Sequence, residues 1–302
     1  AALLLLRFAA GAAGAGVLVA GTILVDRLGA GDSPGRAALL LGVYFAGGGL
    51  GIVVTGLAVP SLLAGTGGAG AWQWGWVLLG GLAVIALAVS APAVRAAPEP
   101  PPAPPGSRRW PMRSMAWLLV AYWCFGAGYI AYITFIIAFL KAKGGAGTAE
   151  ITAFWVIIGV AVIAAGFAWG PVLARFRGGR GAALVLAMVA AGALVPLLSA
   201  SPPAAYVSAV IFGGSFLSLV TAVMATVRRY LHPHFWTSAI ATLTVTFALG
   251  QCLGPVLAGV LSDTATGLRA GLILSVALLG AGSVVALAQP KPDPRLAGAI
   301  EG

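Results

Sequence analysis

A cation set among apolar residues is the first feature of this sequence with chemical potential. Arg7 stands between residues 3–6, all leucine, and Phe8, Ala9 and Ala10. A charge in such surroundings is costly and by default pairs with an anion or faces a wet cavity. At about 1.5 Å per helical residue it lies roughly 9 Å from Ala1. That is shallow enough for the plain alternative, an arginine that snorkels to the interface. The functional reading is an arginine that faces a central cavity and meets an anionic substrate group or a carboxylate.

The rest of the titratable inventory is thin. Only 7 Asp and Glu and 2 His occur in 302 residues, and none falls inside an apolar run. Asp26, Asp263, His232 and His234 stand at the edges of such runs. Metal hydrolysis, acid proteolysis and prenyl transfer need clustered carboxylates or imidazoles, so the sequence reads as no enzyme and implies no cofactor and no metal. His232-Pro-His234 beside Arg228 and Arg229 is two imidazoles without further ligands, an interfacial pair rather than a metal site. Cys124 and Cys252 pack as small thiols, with no disulfide expected. Two polar stripes remain. Tyr122, Gly126, Tyr129 and Ile133 fall at i, i+4, i+7 and i+11, one face of a helix. Gly214, Ser218, Thr221 and Ala225 form a second stripe, for which close helix approach is the competing explanation. Gln251 reads first as an interhelical hydrogen-bond partner and second as a substrate contact.

These residues must be positioned by helices in a bilayer. Sixty per cent of the chain is apolar, 8% is charged, and mean hydropathy is +1.03, well outside soluble composition. Stretches long enough to cross about 30 Å of hydrocarbon run at about 1–25, 37–60, 72–94, 115–140, 152–174, 181–200, 204–227, 236–260 and 267–288. The break between the sixth and seventh rests on Ser201-Pro202-Pro203. Nine spans put thirteen basic residues on one side: Arg27, Arg36, Arg95, Arg108, Arg109, Arg113, Arg175, Arg177, Arg180, Arg228, Arg229, Lys291 and Arg295. Lys141, Lys143 and Arg269 are on the other. The crowded side is cytoplasmic by the positive-inside rule. It places the C-terminus inside and Ala1 outside, and it accounts for the net charge of +10 without nucleic acid.

Glycine suggests a duplication. The pattern Gly-x3-Gly-x4-Gly occurs at Gly47, Gly51 and Gly56 and again at Gly250, Gly254 and Gly259, 203 residues later. Repeated helix bundles with the substrate at their interface are a common transporter plan. The offset expects about ninety further residues with three spans before Ala1, a six-plus-six protein. A signal peptide with Arg7 as its charged region is the alternative. The domain reading is then 1–95 as an incomplete N-terminal bundle, 96–113 as a Pro-rich cytoplasmic linker, 114–290 as a six-helix bundle and 291–302 as a cytoplasmic tail. Within the linker, Pro98, Pro100, Pro101, Pro102, Pro104 and Pro105 favour an extended spacer over a ligand for a proline-recognition domain.

These features resemble the major facilitator superfamily. The run around Arg7, Gly11 and Gly14 looks like the signature of that family's fourth helix. The segment from Gly170 through Ala174, Arg175, Arg177, Gly178, Gly179 and Arg180 is similar to its signature loop between helices eight and nine, with Ala174 where an Asp is usual. Gly250, Gly254, Pro255 and Gly259 resemble the glycine-proline gating helix, with Gly47, Gly51 and Gly56 as its proline-free partner. The run Cys124, Gly126, Gly128, Tyr129, Tyr132 and Thr134 is similar to the seventh helix of the bacterial YbfB/YjiJ-like branch. The resemblance covers helices four to twelve and implies an all-α major-facilitator-type bundle in the bacterial cytoplasmic membrane. It implies secondary active transport of a small organic solute by alternating access, with an anionic solute and protons as coupling ion as the expected partners. The implied substrate contacts are Arg7, Tyr122, Tyr129, Thr134, Ser215, Ser218 and Gln251. The implied conformational residues are Gly47, Gly51, Gly56, Gly170, Arg175, Arg180, Gly250, Gly254, Pro255 and Gly259. Ala174 supports an alternative, a membrane-embedded binding or scaffold protein that has lost transport.

Overall fold

The computed structural model describes residues 2–28, 34–66, 71–95, 110–231, 235–263 and 267–290, with some side chains of the first two helices undescribed. His232, His234, most of the Pro-rich linker and the tail after residue 290 lie outside the described residues. Regular structure among the described residues is helical throughout. The elements are α1 (Ala2–Leu28), α2 (Pro34–Thr66), α3 (Ala71–Arg95), a 3-10 turn (Met112–Met115), α4 (Ala116–Gly144), α5 (Thr148–Ala174), α6 (Arg180–Leu198), α7 (Pro202–Gly213), α8 (Ser218–Tyr230), α9 (Trp236–Ser262) and α10 (Leu268–Leu287). Lipid offers no partner to a backbone N–H or C=O, so unbroken apolar runs are driven to satisfy their own hydrogen bonds as helices. Eight segments among the described residues are long and apolar enough to span, and α1 adds a shorter apolar stretch at Leu4–Val17.

Local chemistry sets the ends. Gly145 closes α4 with φ +63°, and Lys141 and Lys143 lie in its last turn, where cations suit the helix dipole. Glu150 accepts the Gly147 N–H at 3.0 Å and so opens α5. Pro202 begins α7, a position where the missing N–H costs nothing.

The stretch expected as one uninterrupted helix at 204–227 is broken in its middle. Helix α7 ends at Gly213, residues 214–217 form turns, and α8 restarts at Ser218. Three contacts divert the backbone. Ser215 Oγ donates to the Ile211 carbonyl at 2.6 Å, the Ser215 N–H goes to Phe212 O at 3.1 Å, and Trp169 Nε1 of α5 donates to Gly214 O at 2.6 Å. Gly213 permits the close approach, since a Cβ there would lie 2.7 Å from Ile158 O.

Helix α4 is central, packed on α9 and α10; α10 meets α6, α6 meets α7, and α7 meets α5. Phe125, Tyr132, Phe154, Phe212 and Leu279 fill the core almost without exposure. Helix α2 lies along α5, and α1 and α3 contact α2.

Candidate functional site

Helix α4 sorts its side chains by angle. At about 100° per residue, Trp117, Val120 and Thr134 fall on one side, and all three are exposed. Tyr122, Gly126, Tyr129 and Ile133 fall on the opposite side. The first side turns large apolar groups outward as a lipid-facing surface does. The second meets α9 and the break between α7 and α8.

Rings from these elements form a row within 30° of parallel. Phe247 of α9 stacks on Tyr122 at 4.9 Å and on Tyr129 at 5.7 Å between centroids. Phe125 lies 4.8 Å from Tyr129, and Phe216, in the break, lies 5.9 Å from it. The row continues through Phe212 to Tyr132 at 5.3 and 4.3 Å. Such offset stacks contribute about 0.5–1.5 kcal/mol per pair beyond burial. Tyr122, Phe125 and Phe216 are buried, while Tyr129 and Phe247 are only half-buried.

Polar groups punctuate the row. Gln251, one turn beyond Phe247, donates from Nε2 to the Tyr129 hydroxyl. Tyr132 and Ser208 hydroxyls lie 2.5 Å apart, and Ser208 donates to Gly192 O at 2.6 Å. Ser208 has one proton, so Tyr132 is the donor of that pair, and the chain of bonds ends on a backbone carbonyl deep in the core. The membrane-embedded middles of α4 and α9 carry no charged residue, and no group of three metal-capable side chains occurs among the described residues.

The structure therefore brings Tyr122, Tyr129 and Gln251 together. Ser215 and Ser218 are buried beside them at the break, with Ser215 committed to its own backbone. Thr134 lies apart, exposed on the outward side of α4, with its hydroxyl turned back to Ile130 O at 2.7 Å. Arg7 is on α1, and its side chain lies outside the described residues. Sequence reasoning passed over Phe125, Phe216 and Phe247. Two carried a signal, since Phe125 precedes Tyr129, and Phe247 precedes Gln251, by one helical turn.

A family model described as an uncharacterised MFS-type transporter YbfB matches residues 1–287. The chain belongs to this family. No curated protein matches it. This YbfB-like protein is thus a multi-pass membrane transporter of the major facilitator superfamily, with a small solute as cargo and lipid as solvent.

The YbfB-like chain uses glycine at two helix crossings. Between α2 and α5, a Cβ on Gly49 would lie 2.7 Å from Gly159 O, and one on Gly159 2.7 Å from Gly49 O. Gly42 and Gly166 repeat the arrangement at 2.7 and 2.9 Å, and a Cβ on Gly56 would lie 2.6 Å from Trp155 Cβ. The contact stripe is Gly42, Gly49 and Gly56, a spacing of seven, while Gly47 and Gly51 face open space. Between α4 and α9, Gly250 sits against Trp123 O, Gly254 against Ala127 O and Gly126 against Phe247 O. Pro255 follows inside α9, and a Cβ on Gly259 would lie 3.8 Å from Phe135 Cζ. Both partners in this second crossing, α4 and α9, follow the Pro-rich segment in the chain.

The loop from Ala174 to Arg180 joins α5 to α6. Gly170 faces open space, Arg175 and Arg180 are exposed, and Gly178 turns the chain with φ +70°. Arg229 Nη1 donates to Phe176 O at 2.6 Å, and the Gly179 N–H reaches Gln289 O at 3.4 Å. Buried Gln289 donates to Ser114 O at 2.7 Å and accepts the Leu118 N–H at 3.2 Å. One side chain thus ties the start of α4 to the end of α10.

Proposed function

We propose that this transporter is a secondary active carrier that moves a small organic solute across the bacterial cytoplasmic membrane by alternating access. Its solute site would be the face of α4 that carries Tyr122 and Tyr129, with Gln251 of α9 and the broken α7–α8 segment. The observation that carries the reading is the Tyr129–Gln251 bond, made on the side of α4 opposite its lipid-facing residues. Membrane proteins accept irregular backbone where it is buried or lines a cavity, which suits the break beside this pair. Arg7 supplies the anionic preference in this reading, and protons are the proposed coupling ion. The thirteen-to-three charge division supports a cytoplasmic C-terminus, and the proposed organisation is one bundle at 1–95, a linker at 96–113 and a second bundle at 114–290.

The test is exchange of labelled organic acids, amines and neutral solutes in proteoliposomes, with and without an imposed pH gradient. Arg7→Ala is expected to abolish exchange of an anionic solute with membrane insertion intact. Arg7→Lys is expected to rescue in part, because an ammonium lacks the planar fork of a guanidinium. Solute binding without exchange returns the protein to the scaffold reading that Ala174 favours.

A further inference from the structure

We propose that the solute is a planar aromatic compound, held with its ring against Tyr129 and Phe247 and its polar substituent at the Tyr129–Gln251 pair. This rests on the transport reading above and assigns the chemistry of its site. Two members in the middle of the ring row are incompletely buried. Tyr122, Phe125 and Phe216 are buried, whereas Tyr129 and Phe247, 8° from parallel, retain exposed surface. On Tyr129 that surface lies half a turn away from the lipid side of α4. An additional ring gains edge or offset contact with such exposed aromatic surface, which a saturated ring of equal size does not.

The hydrogen-bond inventory sets the substituent. Gln251 Nε2 donates to the Tyr129 oxygen, which leaves the Tyr129 proton and Gln251 Oε1 without a partner among the described residues. A donor and an acceptor then stand side by side at the margin of the rings, matched to a carboxylic acid, carboxamide or similar planar head. A polyol would need several such pairs, and to this one the face adds the Tyr122 hydroxyl, with no charge in the middle of α4 or α9. Few placed polar groups in an aromatic setting select by ring shape first.

The experiment is calorimetric binding to the purified chain in detergent with two matched probe pairs, benzamide against cyclohexanecarboxamide and benzoate against cyclohexanecarboxylate. Each pair keeps its head group and changes only planarity and π character. The aromatic member of each is expected to bind about tenfold more tightly. Phe247→Leu and Tyr129→Leu are expected to bring that ratio close to one. Tyr129→Phe, which keeps the ring, preserves the ratio and weakens both members about fivefold. Equal affinities within the pairs, no binding by any probe, or a ratio that survives Phe247→Leu overturns the assignment. If the leucine variants misfold, wild type and Tyr129→Phe decide. Proteoliposome exchange of the same probes separates the two claims. Aromatic preference in binding without exchange removes the transport reading and leaves the ring site. Exchange with no aromatic preference removes the ring site and leaves transport.

Discussion

The α2–α5 crossing and the α4–α9 crossing are both made close by glycine, yet different groups accompany it. At α2–α5, backbone faces backbone in reciprocal pairs, Gly49 with Gly159 and Gly42 with Gly166. Around them the Ile163, Val53 and Trp155 side chains add dispersion contacts, which have no directional preference of their own. At α4–α9, Gly126, Gly250 and Gly254 bring the helices together, and directional contacts then join them: the Phe247 stacks and the Tyr129–Gln251 bond, with a further bond to α9 Thr242 Oγ1 from Trp110 Nε1, ahead of α4, at 3.1 Å. Glycine spacing alone does not distinguish a sliding surface from a locked one. The polar and aromatic groups beside it do.

Cross-linking offers the largest expected contrast. In a background lacking Cys124 and Cys252, a short bifunctional thiol reagent bridging Gly56→Cys and Trp155→Cys is expected to stop solute exchange almost completely. The same reagent across Phe135→Cys and Gly259→Cys is expected to leave exchange near its uncross-linked rate. Equal inhibition by both bridges would remove the distinction. Next in size, Gly254→Val should push α9 from α4 and lower stability by about 1–3 kcal/mol or more, seen as an early melting transition in detergent. Gly49→Ala with Gly159→Ala should cut exchange about tenfold with a smaller change in melting, and the opposite ranking of the two variants in melting would contradict the assigned roles. The smallest effect is expected from Trp169→Phe. It removes the donor to Gly214 O and should cost about 1 kcal/mol, measured as a lower melting temperature with exchange retained.

The spans were legible because each is an apolar run bounded by charge or proline, and a bilayer permits such runs few alternatives to helix. The break at residues 214–217 was hidden for the same reason. Its residues are apolar or small, and one of the contacts at the break, from Trp169, comes from forty-five residues away. The glycine repeat at Gly47, Gly51 and Gly56 caught the right helix and missed the contact stripe at Gly42 and Gly49, since a seven-residue period stands out only once Gly159 and Gly166 are seen as its partner. With 44 glycines in the chain, spacing alone carries little information. Tyr129 and Gln251 were each visible as polar residues in apolar helices, but their pairing spans 122 positions and follows from how α9 lies on α4. Thr134 shows the converse. It stands five residues from Tyr129, yet at about 100° per residue that turns it to the outer surface, where its hydroxyl serves its own helix.

The two bonds made by the Gln289 side chain carry a consequence for biogenesis. The first turn of α4 receives its tertiary partner from a residue 171 positions downstream. At roughly 5–20 residues per second of synthesis, α4 waits on the order of ten to thirty seconds in the bilayer before its seal is translated. During that interval the Leu118 amide and the Ser114 carbonyl have only water or lipid head groups as partners. A chain released after residue 288 would therefore keep the helices named above and leave this end of the bundle unsealed, a state that membrane quality-control proteases are suited to detect.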